Sequence, residues 1–322
     1  MIEGSLGTID KLDLRVPKTT SFTEQLEQFL NNGIREEAHS GTRYYRFAAN
    51  LTRCGLPSKL YFRHRRNGNH KLEIARTAGM TLHGIISAIG KLFLIDPWLL
   101  EIMRIDFAVD VPDYTVEWFR RRARVIHKRS SAEHGQFSFE RTTIQTLYFG
   151  KRPHLFRIYD KAEQERSQHR HSCKRNRNEL GHSVFEQKYG YSPDTVLTRV
   201  ERQYGAGRVP KEIGTLAKLQ QNVLTLNPFE RLRFLPSTIS ENSANQLTGD
   251  AFLKTHGFLR LLELHGNAEA TRILDHKTSR NTQRLLRQLH CMLADPQYEP
   301  PDLVRLFREA VQQQLSLDAR CL

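Results

Sequence analysis

A chain of 322 residues with 49 Lys and Arg against 35 Asp and Glu, a net charge of +14, points to a polyanionic partner. Each Lys or Arg contact to a phosphate releases counterions and gives affinity without reading any sequence. No stretch approaches the roughly 18 uninterrupted apolar residues of a membrane helix, and residues 1–10 lack a cationic run followed by an apolar one, so neither membrane insertion nor secretion is expected. Cys54, Cys173, Cys291 and Cys321 form no CxxC pair, which argues against a zinc knuckle or a disulfide framework and fits a reducing cytoplasm.

At about 100–200 residues per domain the length suits two domains. Short runs rich in β-branched and aromatic residues predict strands over Leu12 to Val16, Arg43 to Ala49, Lys59 to His64 and Lys71 to Arg76, with a hairpin turn at Gly68-Asn69. A helix is predicted over Leu82 to Leu94. A strand follows at Met103 to Val111, and then a helix capped by Asp113 or Thr115 that runs through Trp118, Phe119 and Val125. Strands at Gln145 to Phe149 and His154 to Lys161 flank a Gly150 to Pro153 turn. Arg166 to Arg177, basic and without an acid, reads as a long loop or a disordered insertion, and the last strand is Val196 to Tyr204. After Pro210 the pattern is helical: Lys211 to Leu224, Phe229 to Leu235, Ala251 to Leu264, Ala268 to Asp275, Thr282 to Leu293 and Asp302 to Leu315. The expected architecture is therefore α+β, with an antiparallel-rich sheet domain at 1–205 and a helical region at 206–322.

Three strands share a pattern under the two-residue period. Arg104, Asp106, Ala108 and Asp110 oppose Ile105, Phe107, Val109 and Val111. Arg157, Tyr159 and Lys161 oppose Phe156 and Ile158, and Leu197, Arg199, Glu201 and Gln203 oppose Val196, Thr198 and Val200. As neighbours these strands would gather acids, cations and one tyrosine into a phosphate-chemistry site. A phenol with a pKa near 10 attacks poorly at neutral pH unless cations or a metal stabilise its phenolate, which Arg157 and Lys161 beside Tyr159 could do. A hard divalent ion held by Asp106 and Glu201 could polarise a phosphodiester. On a straight strand Asp110 lies roughly 13 Å from Asp106, too far to share one ion directly. The same acids read equally as partners of Arg104, Arg199 or Lys161 on a solvated face, and Tyr159 as a packing residue.

Three runs, MRIDFAVD from Met103 to Asp110, LYFGKRPHLFRIYDKAE from Leu147 to Glu163 and LTRVERQ from Leu197 to Gln203, carry a resemblance. In order they resemble the RIDxAxD-like strand, the YxGxR…RxYxK segment and the R[VIL]E strand of the Rep_trans family, the trans-acting replication initiation factors of rolling-circle plasmids and phages. The resemblance spans about residues 100–205. It implies a nickase domain distantly related to nickases that use a His-hydrophobic-His pair, and cleavage of one strand at an origin through a 5′-phosphotyrosine on Tyr159, with later rejoining. It further implies Asp106, Glu201 and Asp110 as ligands of Mg²⁺ or Mn²⁺, and as partners double-stranded origin DNA, the nicked single strand, and a host helicase and polymerase. His169-Arg170-His171, the one His-x-His, lacks an apolar flank and departs from the paired-histidine form. For the second strand transfer Glu163, Glu165 and Tyr148 are the candidates.

Further DNA contacts are expected from Arg120, Arg121 and Arg124 on the helix bearing Trp118, from Lys151 and Arg152 in a turn, and from Arg284 and Arg287 on the second helix of a helix-turn-helix-like pair. A solvated cationic face is the alternative for the arginines of the Trp118 helix, and an ordinary helical hairpin with a polar turn for the helix-turn-helix-like pair. Gly84 to Lys91 mimics a P-loop but has one residue too many between its glycines and Leu92 where Ser or Thr should stand, so no ATP-driven activity is expected. The helical region would serve origin recognition or homodimer contacts. Rival readings are a catalytically silent origin- or operator-binding regulator, and an RNA binder that stacks bases on Tyr44, Tyr45 and Tyr61.

Overall fold

A computed structural model describes residues 9–17, 24, 36–38, 45–52, 56, 58–64, 69–75, 82–125, 133–137, 144–149, 154–176, 185–187, 190–205, 207–234, 248–261, 264–265, 272–273 and 300–319. Its strands are β1 (Ile9–Val16), β2 (Glu36–Ala38), β3 (Tyr45–Asn50), β4 (Ser58–His64), β5 (His70–Ala75), β6 (Glu101–Pro112), β7 (Ala123–Val125), β8 (Glu133–Phe137), β9 (Ile144–Phe149), β10 (His154–Asp160), β11 (Leu197–Tyr204) and β12 (Leu232–Phe234). The helices are α1 (Leu82–Phe93), α2 (Val116–Arg122), α3 (Lys161–Asn176), α4 (Leu216–Asn222), α5 (249–261) and α6 (Leu303–Ala319). The protein is α+β. Ten strands pair antiparallel in the order β2-β3-β4-β5-β1-β6-β11-β10-β9-β8, and β7 pairs with β12 apart from them. No described helix is long and apolar enough to cross a membrane.

Alternation along the central strands separates the two faces of the sheet. Ile105, Phe107, Val109 and Val111 of β6 turn to one side with Phe156 and Ile158 of β10 and Leu12 and Leu14 of β1. Ile85, Ile86 and Ile89 of α1, Phe119 of α2, and Leu303, Phe307 and Val311 of α6 complete the same buried cluster. Arg202 of β11 belongs to this apolar side too. Its guanidinium stacks on Phe156 at 4.2 Å and on Tyr204 at 4.8 Å, and burial lowers its pKa. The other face carries the charges. Because Asp106 and Asp110 are also buried, β6 is enclosed on both sides of its central part.

The composition boundary at 205/206 does not divide the core. Ile213, Leu216, Phe229, Leu232 and Phe307 lie in one cluster with the strands of the sheet, and the Phe307 ring meets Phe107 edge-on at 5.4 Å. Phe307→Ala should therefore cost about 3–5 kcal/mol in urea unfolding, the range for a fully buried ring that leaves a cavity. A loss under about 1 kcal/mol would show that α6 is not part of the core.

Several sequence expectations need correction. The basic stretch that begins at Arg166 is helical rather than a loop as far as Asn176, since α3 runs through it, and Arg177 lies outside the described residues. Asp160 caps the helix by accepting the Glu163 N–H at 2.7 Å, and ion pairs Lys161–Glu165 (2.6 Å), Glu163–Arg166 (2.9 Å) and Glu163–Arg170 (2.8 Å) support a turn sequence that has almost no apolar face. Residues 229–234 are not helical either. Asn227 accepts the Phe229 N–H at 3.1 Å in a side-chain-closed turn, and Leu232–Phe234 then pairs with β7. Thr115, not Asp113, caps α2, which stops at Arg122 so that Val125 lies on β7. Lys211 to Leu224 breaks at Gly214 into a 3₁₀ turn and α4, which Thr215 caps. The proposed helices at Ala268 to Asp275 and Thr282 to Leu293 fall outside the described residues except for 272–273.

Candidate active site

Antiparallel register turns the polar face of β6, β11 and β10 into ordered cross-strand rows. Tyr159, Arg199 and Asp110 form one row, and Arg157, Glu201 and Ala108 the next. Glu201 is the centre of the second row. Its Oε1 accepts the Tyr159 hydroxyl at 2.6 Å, and its Oε2 accepts Arg157 Nε at 2.9 Å. The Arg157 guanidinium also lies 4.9 Å from the Tyr159 ring centre, and its side chain keeps 38% exposure, which makes it the part of this trio that meets solvent.

The first row holds a buried ion pair. Arg199 donates to both oxygens of Asp110, at 2.5 and 2.7 Å, and its remaining terminal nitrogen reaches Asp10 at 3.2 Å. Burial works against the Arg199 cation, but the charge and hydrogen bonds of Asp110 raise its pKa well above the ordinary value. Tyr159 is only 6% exposed. Burial pushes its phenol pKa up, and the charge of Glu201 and the hydrogen bond to it push it further. The Glu201 carboxyl is raised by burial and by Asp10, against the pull of Arg157.

The sequence-predicted residues separate into groups. Tyr159, Arg157 and Glu201 come together. Lys161 does not join them, because β10 ends at Asp160 and Lys161 opens α3, where it pairs with Glu165 at 2.6 Å. Asp106 lies opposite Gln203, beyond Glu201, and both its oxygens are taken by Arg104. As arranged, Asp106, Glu201 and Asp110 do not fit one divalent ion: each carboxylate is closed by arginine, with Tyr159 added at Glu201, and Asp106 and Asp110 are roughly 13 Å apart along the strand. Among the described residues no three His, Cys, Asp or Glu converge as a metal site. His169, expected in a loop, is a buried residue of α3 packed edge-on against Phe185.

Of the expected DNA contacts, Arg120 is held by Glu117 at 2.7 and 2.6 Å and by the His265 carbonyl at 2.8 Å. Arg121 lies in α2 and Arg124 on β7 opposite Arg233, while Lys151, Arg152, Arg284 and Arg287 lie outside the described residues. Tyr148 sits opposite Arg157 on β9. Tyr45 and Tyr61 lie on the neighbouring strands β3 and β4 with their rings tilted and 5.8 Å apart, and Tyr44 lies outside the described residues.

Two residues at the site were not singled out from the sequence. Asp10 precedes the predicted first strand, and strict alternation from Leu12 would send it to the apolar side. An irregularity between Ile9 and Lys11 adds one residue to β1 against β6, and Asp10 reaches Arg199 across it. Tyr191 lies in an irregular segment, where no period marks it, yet its hydroxyl donates to Glu165.

No family model matches the chain, and no curated protein matches it. Among solved structures, the rolling circle replication initiator protein from Geobacillus stearothermophilus is similar at 14% identity, over 78% of this chain and 95% of that one, with a TM-score of 0.40.

Proposed function

We propose that the protein nicks one DNA strand at an origin through Tyr159, forming a 5′-phosphotyrosine, and later rejoins it. The observation that carries this reading is the 2.6 Å hydrogen bond from the Tyr159 hydroxyl to Glu201 with Arg157 on the other carboxylate oxygen. A nucleophile, a base within reach of its proton, and a third group that orients the base are the parts such chemistry needs. Tyr159 Oη attacks the phosphorus as its proton passes to Glu201, the P–O3′ bond breaks, and the 3′ oxygen leaves as a hydroxyl after taking a proton from solvent. Arg157, the exposed cation of the trio, offers its guanidinium to the phosphate oxygens. The net charge of +14 suits double-stranded origin DNA and the nicked strand as ligands. Unwinding and synthesis then fall to a host helicase and polymerase.

A second reading has its own observation. Tyr159 is 6% exposed and every acid around it is paired, as in a static network that only stiffens a silent DNA-binding protein. A randomised single-stranded DNA pool labelled at its 3′ ends separates the two, because a 5′-phosphotyrosine keeps the labelled fragment on the protein through SDS. Since Asp106, Asp110 and Glu201 as arranged do not converge on one ion, the assay is run with Mg²⁺, with Mn²⁺ and with EDTA. Label retained after SDS supports the nickase; binding without retention in any of these supports the silent binder.

The pH profile tests the base. Glu201 must be ionised to accept the proton, so adduct formation should fall with decreasing pH at values above the ~4.3 of an ordinary glutamate. Asp10→Asn removes a negative neighbour that holds the Glu201 carboxyl up, and should move this acid limb to lower pH. A limb that stays in place in the variant would argue against Glu201 as the base.

A further inference from the structure

The arrangement around Tyr159 occurs a second time beside it. On α3, which begins one residue after Asp160, the two oxygens of Glu165 are shared between a phenol and a cation: the Tyr191 hydroxyl donates to Oε2, and Lys161 Nζ lies 2.6 Å from Oε1. Tyr159, Glu201 and Arg157 stand in the same relation. Tyr191 packs in a small cluster with Ala162, Phe185 and Leu197, its ring edge-on to Phe185 at 5.7 Å. Leu197 shares the polar face of β11 with Arg199, two residues further on, and Ala162 is three residues from Tyr159. The second phenol is therefore anchored to the same end of the same strands, at a comparable 8% exposure. The charges of Asp110 and Arg199 both act on the Tyr191 phenol, and Arg199 acts on Tyr159 as well.

We propose that Tyr191, with Glu165 as its base and Lys161 holding that base, is the second nucleophile of the reaction, the one that opens the regenerated junction when the displaced strand is released. This rests on the nickase reading of Tyr159. One phosphotyrosine stores one phosphodiester bond, so release of a unit-length strand as a closed circle needs a second cleavage that conserves its bond as well. Tyr191 Oη attacks the phosphorus of the new junction and its proton goes to Glu165, while the P–O3′ bond breaks. The freed 3′ hydroxyl then attacks the Tyr159 phosphodiester, the P–O bond to Tyr159 breaks, its phenol regains a proton and the circle closes. Water takes no part, and the number of phosphodiesters is unchanged.

The test uses the full chain and an oligonucleotide of the sequence recovered from the randomised pool, in two colours of 3′ label. Protein charged with the first colour is given the second with a sulfur in place of the 3′ bridging oxygen at the cleaved junction, so that the leaving 3′ thiol does not attack the Tyr159 phosphodiester. It is then denatured in SDS and scored for single polypeptides carrying both, which excludes two labels shared between protomers. The wild type should yield doubly labelled chains with the second label on the peptide bearing Tyr191. Tyr191→Phe, which keeps the ring and its packing, should take the first label and lose the second, and Glu165→Gln should lower the second label about 100-fold. Equal double labelling in Tyr191→Phe, or no doubly labelled wild-type chain when the first label is in place, overturns the assignment. Absence of the first label would instead overturn the nickase reading itself, and this inference with it.

Discussion

Tyr159→Phe is expected to abolish the SDS-resistant adduct and DNA nicking while leaving DNA affinity within about twofold of the native protein. The substitution removes one oxygen and leaves the ring against Arg157, so the fold loses one hydrogen bond, worth roughly 1 kcal/mol on average and more where Glu201 is left with an unfilled acceptor. The chemical loss is far larger, because removing the nucleophile of a concerted group lowers turnover by many orders of magnitude, about 10⁶ in well-studied cases. Affinity should hardly move, since it comes from phosphate contacts spread over a strongly basic surface. Gel-shift titration at fixed salt and nicking of the same DNA measure the two effects side by side. Parallel loss of binding and nicking would place Tyr159 in the fold rather than in the chemistry.

A large effect on stability should come from the first row of the site. Asp110→Ala leaves Arg199 buried without its bidentate partner, a change that typically costs about 3–5 kcal/mol. The Asp10 carboxylate, 3.2 Å from the same guanidinium, keeps part of the compensation, so the lower end of that range is expected. Adding Arg199→Met to Asp110→Ala removes the stranded charge and should recover at least about 1–2 kcal/mol. Urea unfolding of the single and double variants reads the difference. A double variant no more stable than Asp110→Ala would mean that the cost lies in packing rather than in the uncompensated cation.

The sheet was legible where alternation is regular. Met103 to Val111 presents one apolar and one charged face, Val196 to Tyr204 does so except for Arg202 on its apolar side, and the two strands pair so that Arg199 meets Asp110 and Glu201 meets Ala108. Alternation fails where the backbone departs from the two-residue period. It would send Asp10 to the wrong side because a single extra residue near Ile9 resets the register, and it carried Lys161 onto the face of Tyr159 because nothing in the period says that Asp160 will cap a helix there. α3 was hidden for a different reason. A helix is recognised from sequence by an apolar stripe, and this one is held by charge pairs three and four residues apart. Pairing choice was likewise out of reach: the sequence offered Asp106 and Glu201 as one metal site, whereas each acid is taken by a nearby arginine, Arg104 on the same strand and Arg157 on the next. Tyr191 carries no local pattern, and only the tertiary fold brings it to Glu165.

The most direct test of the account is the site of covalent attachment in a first turnover. Protein incubated with the 3′-labelled pool, digested and sequenced by mass spectrometry should carry the nucleotide on the peptide containing Tyr159, through a bond that survives SDS. Attachment at a different residue, or saturating DNA binding with no attachment at all, would contradict it.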